Sequence, residues 1–128
     1  MLGLFAVACA APGASSSDER PPPDAPGSQE RVARLEAEAR ALVKTNGCAT
    51  SGQCRAAPVG SRPCGGPRAY VAYCSATTDS VALYRKLDEL RITEDAFNQA
   101  AGMASTCEFR TPPEVTSQGG SCRATPTP

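Results

Sequence analysis

Seven cysteines and no histidine in a chain of 128 residues restrict the possible folds more than any other feature. Six of them, Cys48, Cys54, Cys64, Cys74, Cys107 and Cys122, fall in one stretch, while Cys9 lies far upstream. The odd count therefore divides into one isolated thiol and an even set that can cross-link. Structural zinc sites use ligand pairs about two to four residues apart, and no such pair occurs here. A redox role would want Cys-x-x-Cys, which is also missing. Structural disulfides in an oxidising compartment are the expected use. Six cysteines allow 15 pairings, and spacing alone selects none of them. A link between the Cys48–Cys64 region and the Cys107–Cys122 region would stabilise most, by about 4 kcal/mol, because it closes a long loop. Cys74 sits inside a predicted strand. The alternative for it is a buried free thiol, which leaves a second cysteine unpaired.

One domain, residues 28–123, is expected. A core of that size is marginal without cross-links, and the chain has no tryptophan and only three tyrosines and three phenylalanines to fill it. Ser28 is a reasonable N-cap. Val32, Leu35, Ala39 and Leu42 follow at helical spacing, predicting a helix over 29–45 that stops at Asn46-Gly47. Its stripe is narrow and alanine-rich, so loose docking is expected. Residues 48–67, rich in Gly, Pro and Cys, read as loop. Residues 68–75 favour a strand, with Val71 and Tyr73 on one face. Asp79 caps a second helix running to about Met103, in which Leu83, Leu87, Leu90 and Phe97 form a stripe interrupted by Glu94. A break near Ile92, with Thr93 as a new cap, is the alternative. Val115 to Arg123 read as strand around a Gly119-Gly120 turn. The fold class is α+β: two helices packed on a short antiparallel sheet.

Upstream of the domain, Met1 to Ala8 is apolar but far shorter than the roughly 20 residues that span a bilayer. It ends in Ala6-Val7-Ala8-Cys9, which resembles the lipobox of a bacterial lipoprotein signal, although family members usually carry Leu where Ala6 stands. The resemblance implies that residues 1–9 are a signal whose basic end is missing, and that Cys9 carries palmitate-type acyl chains. It also implies membrane lipid as the partner. Ala10, which is not Asp, implies export to the outer membrane of a two-membrane envelope. Plain secretion, or the ragged end of a cytosolic chain, are the competing explanations. Residues 10–27, with Pro21-Pro22-Pro23 and Pro26, cannot offset the entropy of ordering and read as a disordered spacer. Residues 124–128 read as a disordered tail.

Cys64-Gly65-Gly66-Pro67, Tyr70, and Thr78-Asp79 opening a helix, with Cys107 and Cys122 as a late pair, resemble a group of short cysteine-rich bacterial envelope lipoproteins. The resemblance covers about two-thirds of the chain, judged as pattern. It implies a compartment and a fold, not a reaction. Cys74 departs from the group, which usually has Ser there.

Catalysis finds little support. A Ser-His-Asp arrangement is excluded without histidine, and Gly65-Gly66-Pro67 lacks the Gly-Lys-Ser/Thr ending of a phosphate loop. No cofactor or metal is indicated. Thirteen basic side chains balance thirteen acidic ones, which disfavours nucleic acid. Charge is uneven locally: Arg55, Arg62 and Arg68 are the only charges between Thr45 and Thr78. They either pair with the acidic second helix or offer a loop to an acidic envelope partner or an anionic headgroup. The expected function is a lipid-anchored, non-catalytic binding or structural module. The alternative is a serine protease inhibitor presenting Arg55 or Arg62 from a cystine-bounded loop, pre-organised for contact.

Overall fold

A computed structural model describes Gly3 and residues 28–104, 107–108 and 110–125. The signal with Cys9, most of the tail and the 10–27 spacer lie outside the described residues. The elements are α1 (Gln29–Leu42), a short 3-10 turn (Ser51–Gln53), β1 (Cys54–Val59), β2 (Ala69–Cys74), α2 (Ser80–Ala100), β3 (Glu114–Gln118) and β4 (Ser121–Thr125). The fold class is α+β, as expected. The strands form two separate two-stranded antiparallel sheets, β1–β2 and β3–β4.

Both helices begin where a side chain can satisfy an open N–H. Ser28 Oγ accepts from Arg31 N at 3.1 Å and Asp79 Oδ1 from Ala82 N at 3.1 Å. α1 buries Val32, Leu35 and Ala39. α2 buries Leu83, Leu87 and Leu90 against them and against the β1–β2 hairpin. Docking is close, not loose: Leu35 and Ala39 are almost fully buried, and Arg31–Glu89 (3.2 Å) and Lys86–Glu38 (2.9 Å) cross the helix pair at its edge. α2 runs unbroken, with Thr93 buried inside it and Ile92 facing solvent. Fully burying each leucine contributes about 2 kcal/mol.

Strand alternation divides the first hairpin into two faces. Ala57, Val59, Val71 and Tyr73 meet the helices. Cys54 and Cys74, opposite each other in register, point to the other side and join Cys48, Cys122 and Val115 in a second buried cluster. The second hairpin covers that cluster. It turns through Gly119 and Gly120, both at positive φ (61° and 80°), as a tight two-residue connection requires.

Three expectations are corrected. α1 ends at Leu42, not Thr45, because the following backbone is captured elsewhere. Lys44 N–H donates to Thr78 Oγ1 at 3.1 Å, and Lys44 C=O accepts from Cys74 N at 2.7 Å. Residues 54–59 are strand, not loop, because pairing with β2 and burial of Ala57 and Val59 override the weak strand preference of Ala and Pro. Ala124 and Thr125 belong to β4, not to a disordered tail: they pair with Val115 and Glu114, and Thr125 Oγ1 donates to Glu114 C=O at 2.9 Å.

All six downstream cysteines are paired: Cys48–Cys74, Cys54–Cys122 and Cys64–Cys107. The free-thiol alternative for Cys74 is thereby overturned. Two bridges do join the early cysteine region to the late one. The Cys54–Cys122 bridge closes the longest loop, a sequence separation of 68 against 26 for Cys48–Cys74. Replacing Cys54 and Cys122 together by alanine is expected to lower stability by about 4 kcal/mol. In urea denaturation it should cost more than the corresponding double replacement at Cys64 and Cys107.

Candidate functional site

β1 leaves the sheet through Gly60, at φ +74°, where a Cβ would lie 2.6 Å from Glu94 Oε1. Only glycine fits both the conformation and the close approach. The next residue is gripped by three side chains of α2. Ser61 N–H donates to Glu94 Oε1 at 2.6 Å, Ser61 Oγ donates to the Asp95 carboxylate, and Asn98 Nδ2 donates to Ser61 C=O at 3.0 Å. Ser61, Glu94 and Asn98 are all buried.

A buried carboxylate needs charge-assisted partners. Arg68, carried by the return of the same turn, supplies them: Nε meets Glu94 Oε1 at 3.0 Å and Nη2 meets Oε2 at 3.3 Å. Arg68 Nη2 also bonds Glu36 of α1, whose second oxygen accepts from Arg40 Nε at 3.4 Å. Burial tends to raise the Glu36 carboxyl, but Arg68 and Arg40 together hold it below its ordinary range. The hydrogen bond with Glu94 outweighs burial and moves Arg68 upward, keeping it charged. This clamp ties the 60–68 turn to both helices.

Beside the clamp, the turn and α2 enclose a groove of about 480 Å³, within the range of small-ligand sites. Pro58, Pro67, Tyr84 and Leu87 form its apolar wall. Its charges are Asp88, Arg91 and Asp95, and they pair with one another: Arg91 Nη2 lies 2.8 Å from Asp88 and Nη1 3.6 Å from Asp95. The Tyr84 phenol is pushed up to about 12 by partial burial and by the hydrogen bond with Tyr73, with Arg55 opposing. The groove thus offers shape and a rim with one negative charge in excess, where the Ser61 hydroxyl donates to Asp95.

The three arginines singled out by sequence do not form one patch. Arg68 is engaged by Glu36 and Glu94. The Arg62 guanidinium donates to Glu108 C=O. Arg55 is exposed at the start of β1, across from Tyr73. The 55–63 segment is not a ring closed by its flanking cysteines, since Cys54 bonds Cys122 and Cys64 bonds Cys107. The sulfurs of Cys48, Cys74 and Cys122, by contrast, come within 4.8 Å of one another in the buried cluster. Cys64 and Cys107 are exposed.

Sequence reasoning missed Ser61, Asp95, Asn98 and Glu36 as members of the clamp. One signal was present: Glu94 interrupts an apolar stripe, and a carboxylate on a buried helix face demands a cation. No family model, curated protein or solved structure matches this chain.

Replacing Glu94 by alanine strands the buried Ser61 N–H and one face of Arg68. A loss of about 2–3 kcal/mol is expected in chemical denaturation. Because the Glu36 carboxyl is lowered in the fold, its contribution is complete above about pH 4.5 and fades as pH falls through its folded value. Glu36→Gln should therefore flatten the acid limb of a stability–pH curve while leaving the slope above pH 6 unchanged.

Proposed function

We propose that this chain is a lipid-anchored protein of the bacterial cell envelope, attached through acylated Cys9. Its disulfide-stapled domain serves as a non-catalytic binding or structural module. The observation that carries the reading is the complete pairing of the six downstream cysteines in three bridges. Such pairing fits an oxidising compartment. It sets Cys9, in its Ala-Val-Ala-Cys context, apart from the cross-linking set. Among the described residues no helix is long and apolar enough to cross a membrane. Attachment in this reading runs through acyl chains, each buried methylene contributing about 0.8 kcal/mol. The outer membrane is the proposed address, and an envelope protein the proposed partner.

The non-catalytic part rests on how the polar groups are used. The clamp carboxylates and arginines satisfy one another, and the charges along the groove engage one another. The inhibitor alternative draws less from the geometry. Arg55 is held in a paired strand, and the turn after it is clamped at Ser61, so the segment does not stand out as a free loop.

Intact mass of the chain extracted from bacterial membranes is the test. An acylated N-terminal cysteine is expected, with six further cysteines alkylated only after reduction. Cys9→Ser should move the protein from the membrane to the soluble fraction without altering its bridges. Recovery of an unacylated, fully reduced chain would sink the reading. Against a panel of trypsin-like proteases no inhibition is expected, and inhibition abolished by Arg55→Ala or Arg62→Ala would instead favour the inhibitor.

A further inference from the structure

We propose that the face of α2 around Tyr84 is a docking channel for an extended, proline-containing segment of a partner protein, with a lysine or arginine at one end and a carboxylate at the other. The inference rests on reading the domain as a binding module. It does not depend on the acyl anchor at Cys9.

The channel is longer than the groove beside the clamp. A second depression of about 400 Å³ lies at Tyr84, walled by Ala56, Pro112, Pro113 and Val115 and edged by Arg55. The two depressions share Tyr84. Its ring stands edge-on to the buried Tyr73, with centroids 6.3 Å apart, so its position is fixed. Tyr84 nevertheless stays 42 % exposed, which leaves an aromatic surface open at the middle of the channel. Pro58 and Pro67 belong to the one depression, Pro112 and Pro113 to the other.

The two ends carry opposite charge. In the groove, Asp88 and Asp95 share a single cation, Arg91, which leaves one negative charge in excess. Arg91 engages only Oδ1 of Asp88, so the other oxygen is open to a second cation. In the second depression the exposed Arg55 side chain has no ion pair or hydrogen bond among the described residues. A complementary occupant is therefore long, apolar in its middle and oppositely charged at its ends. A polypeptide segment has that form. A prolyl segment is also extended before it binds, and aromatic-lined grooves take such segments at low entropic cost. The walls are set in advance as well: the clamp holds the turn, and Cys54, at the second depression, is bonded to Cys122. A sugar would look for uncharged hydrogen-bonding side chains, and the Ser61 hydroxyl in the groove is already given to Asp95.

The test uses the full chain with its bridges intact, titrated calorimetrically with acetyl-Lys-Leu-Pro-Pro-Glu-amide. One-to-one binding is expected, weakening as salt is raised. Tyr84→Ala should weaken it by about 30-fold, the loss of a central aromatic anchor. Asp88→Lys should weaken it by about five-fold, and so should glutamine in place of the probe's lysine, as for an exposed ion pair. Arg55→Glu should reverse the preference at its own end, so that acetyl-Lys-Leu-Pro-Pro-Lys-amide binds more tightly than the first probe. Asp88 and Arg55 are exposed, so these two variants decide the matter even if Tyr84→Ala disturbs the packing on Tyr73. No binding at millimolar peptide, equal affinity for a probe with glutamine at both ends, or equally tight binding of n-pentylammonium alone would overturn the channel. None of these results touches acylation of Cys9 or the number of bridges, which intact mass reports separately.

Discussion

Two disulfides lying against each other, Cys48–Cys74 and Cys54–Cys122, hold this domain in place. Cys54 and Cys74 face each other at the open end of the first hairpin. A bond between them would have tied together strands that their ladder already joins. Each instead bonds outward, one to the segment after α1 and the other to β4. The hairpin is thereby locked to the two pieces of chain that cover its second face. The intervening backbone follows: Cys122 N–H donates to Thr45 C=O at 2.8 Å, and Gly47 and Cys48 N–H both donate to Gly120 C=O. Gly47, at φ +95°, takes the chain so close to Thr77 that a Cβ would sit 2.5 Å from its methyl group. That crowding is sustained because the cross-links fix both sides.

The opposite face depends on a thinner apolar contact. α1 offers Val32, Leu35 and Ala39, small residues for a helix interface, to three leucines of α2 and to Tyr73. The exposed ion pairs around it each contribute little. Glu94 differs because it is buried. Its pairing with Arg68 offsets its own desolvation, so its gain lies less in stability than in geometry. With Ser61 held at three atoms, the 60–68 turn has one position relative to α2, and Cys64–Cys107 fixes the turn's outer edge to the chain after α2.

Much of this was legible in the sequence wherever a local rule and the global fold agree. Ser28 and Asp79 mark both helix starts, the leucine stripe gives the face of α2, and Val71 and Tyr73 give the inward face of β2. Gly119-Gly120 gives the turn of the second hairpin. The rest depended on long-range pairing. β1 reads Cys-Arg-Ala-Ala-Pro-Val, which carries no strand preference of its own, and only its partner makes it a strand. α1 stops early because Thr78 and Cys74 capture Lys44, residues 34 and 30 positions away. The clamp was half legible: Glu94 stood out as a carboxylate on an apolar face, but neither its cation nor the serine it holds could be assigned from spacing. The same applies to the sulfur cluster, whose members are scattered in sequence and adjacent only in space.

The distribution of rigidity bears on what such a domain can do. Cross-links fix one end and a saturated polar clamp fixes the other, so the groove between the turn and α2 has walls set before any contact is made. A surface of that kind loses little conformational entropy on binding. Its charges already engage one another, Arg91 lying between Asp88 and Asp95, with one negative charge in excess. Contact there would rest on shape and on the Pro58, Pro67 and Tyr84 wall, with the ionic rim setting orientation more than affinity. Here the buried Ser61, Glu94 and Asn98 complete one another's polar groups with Arg68, so the turn keeps its place beside the groove.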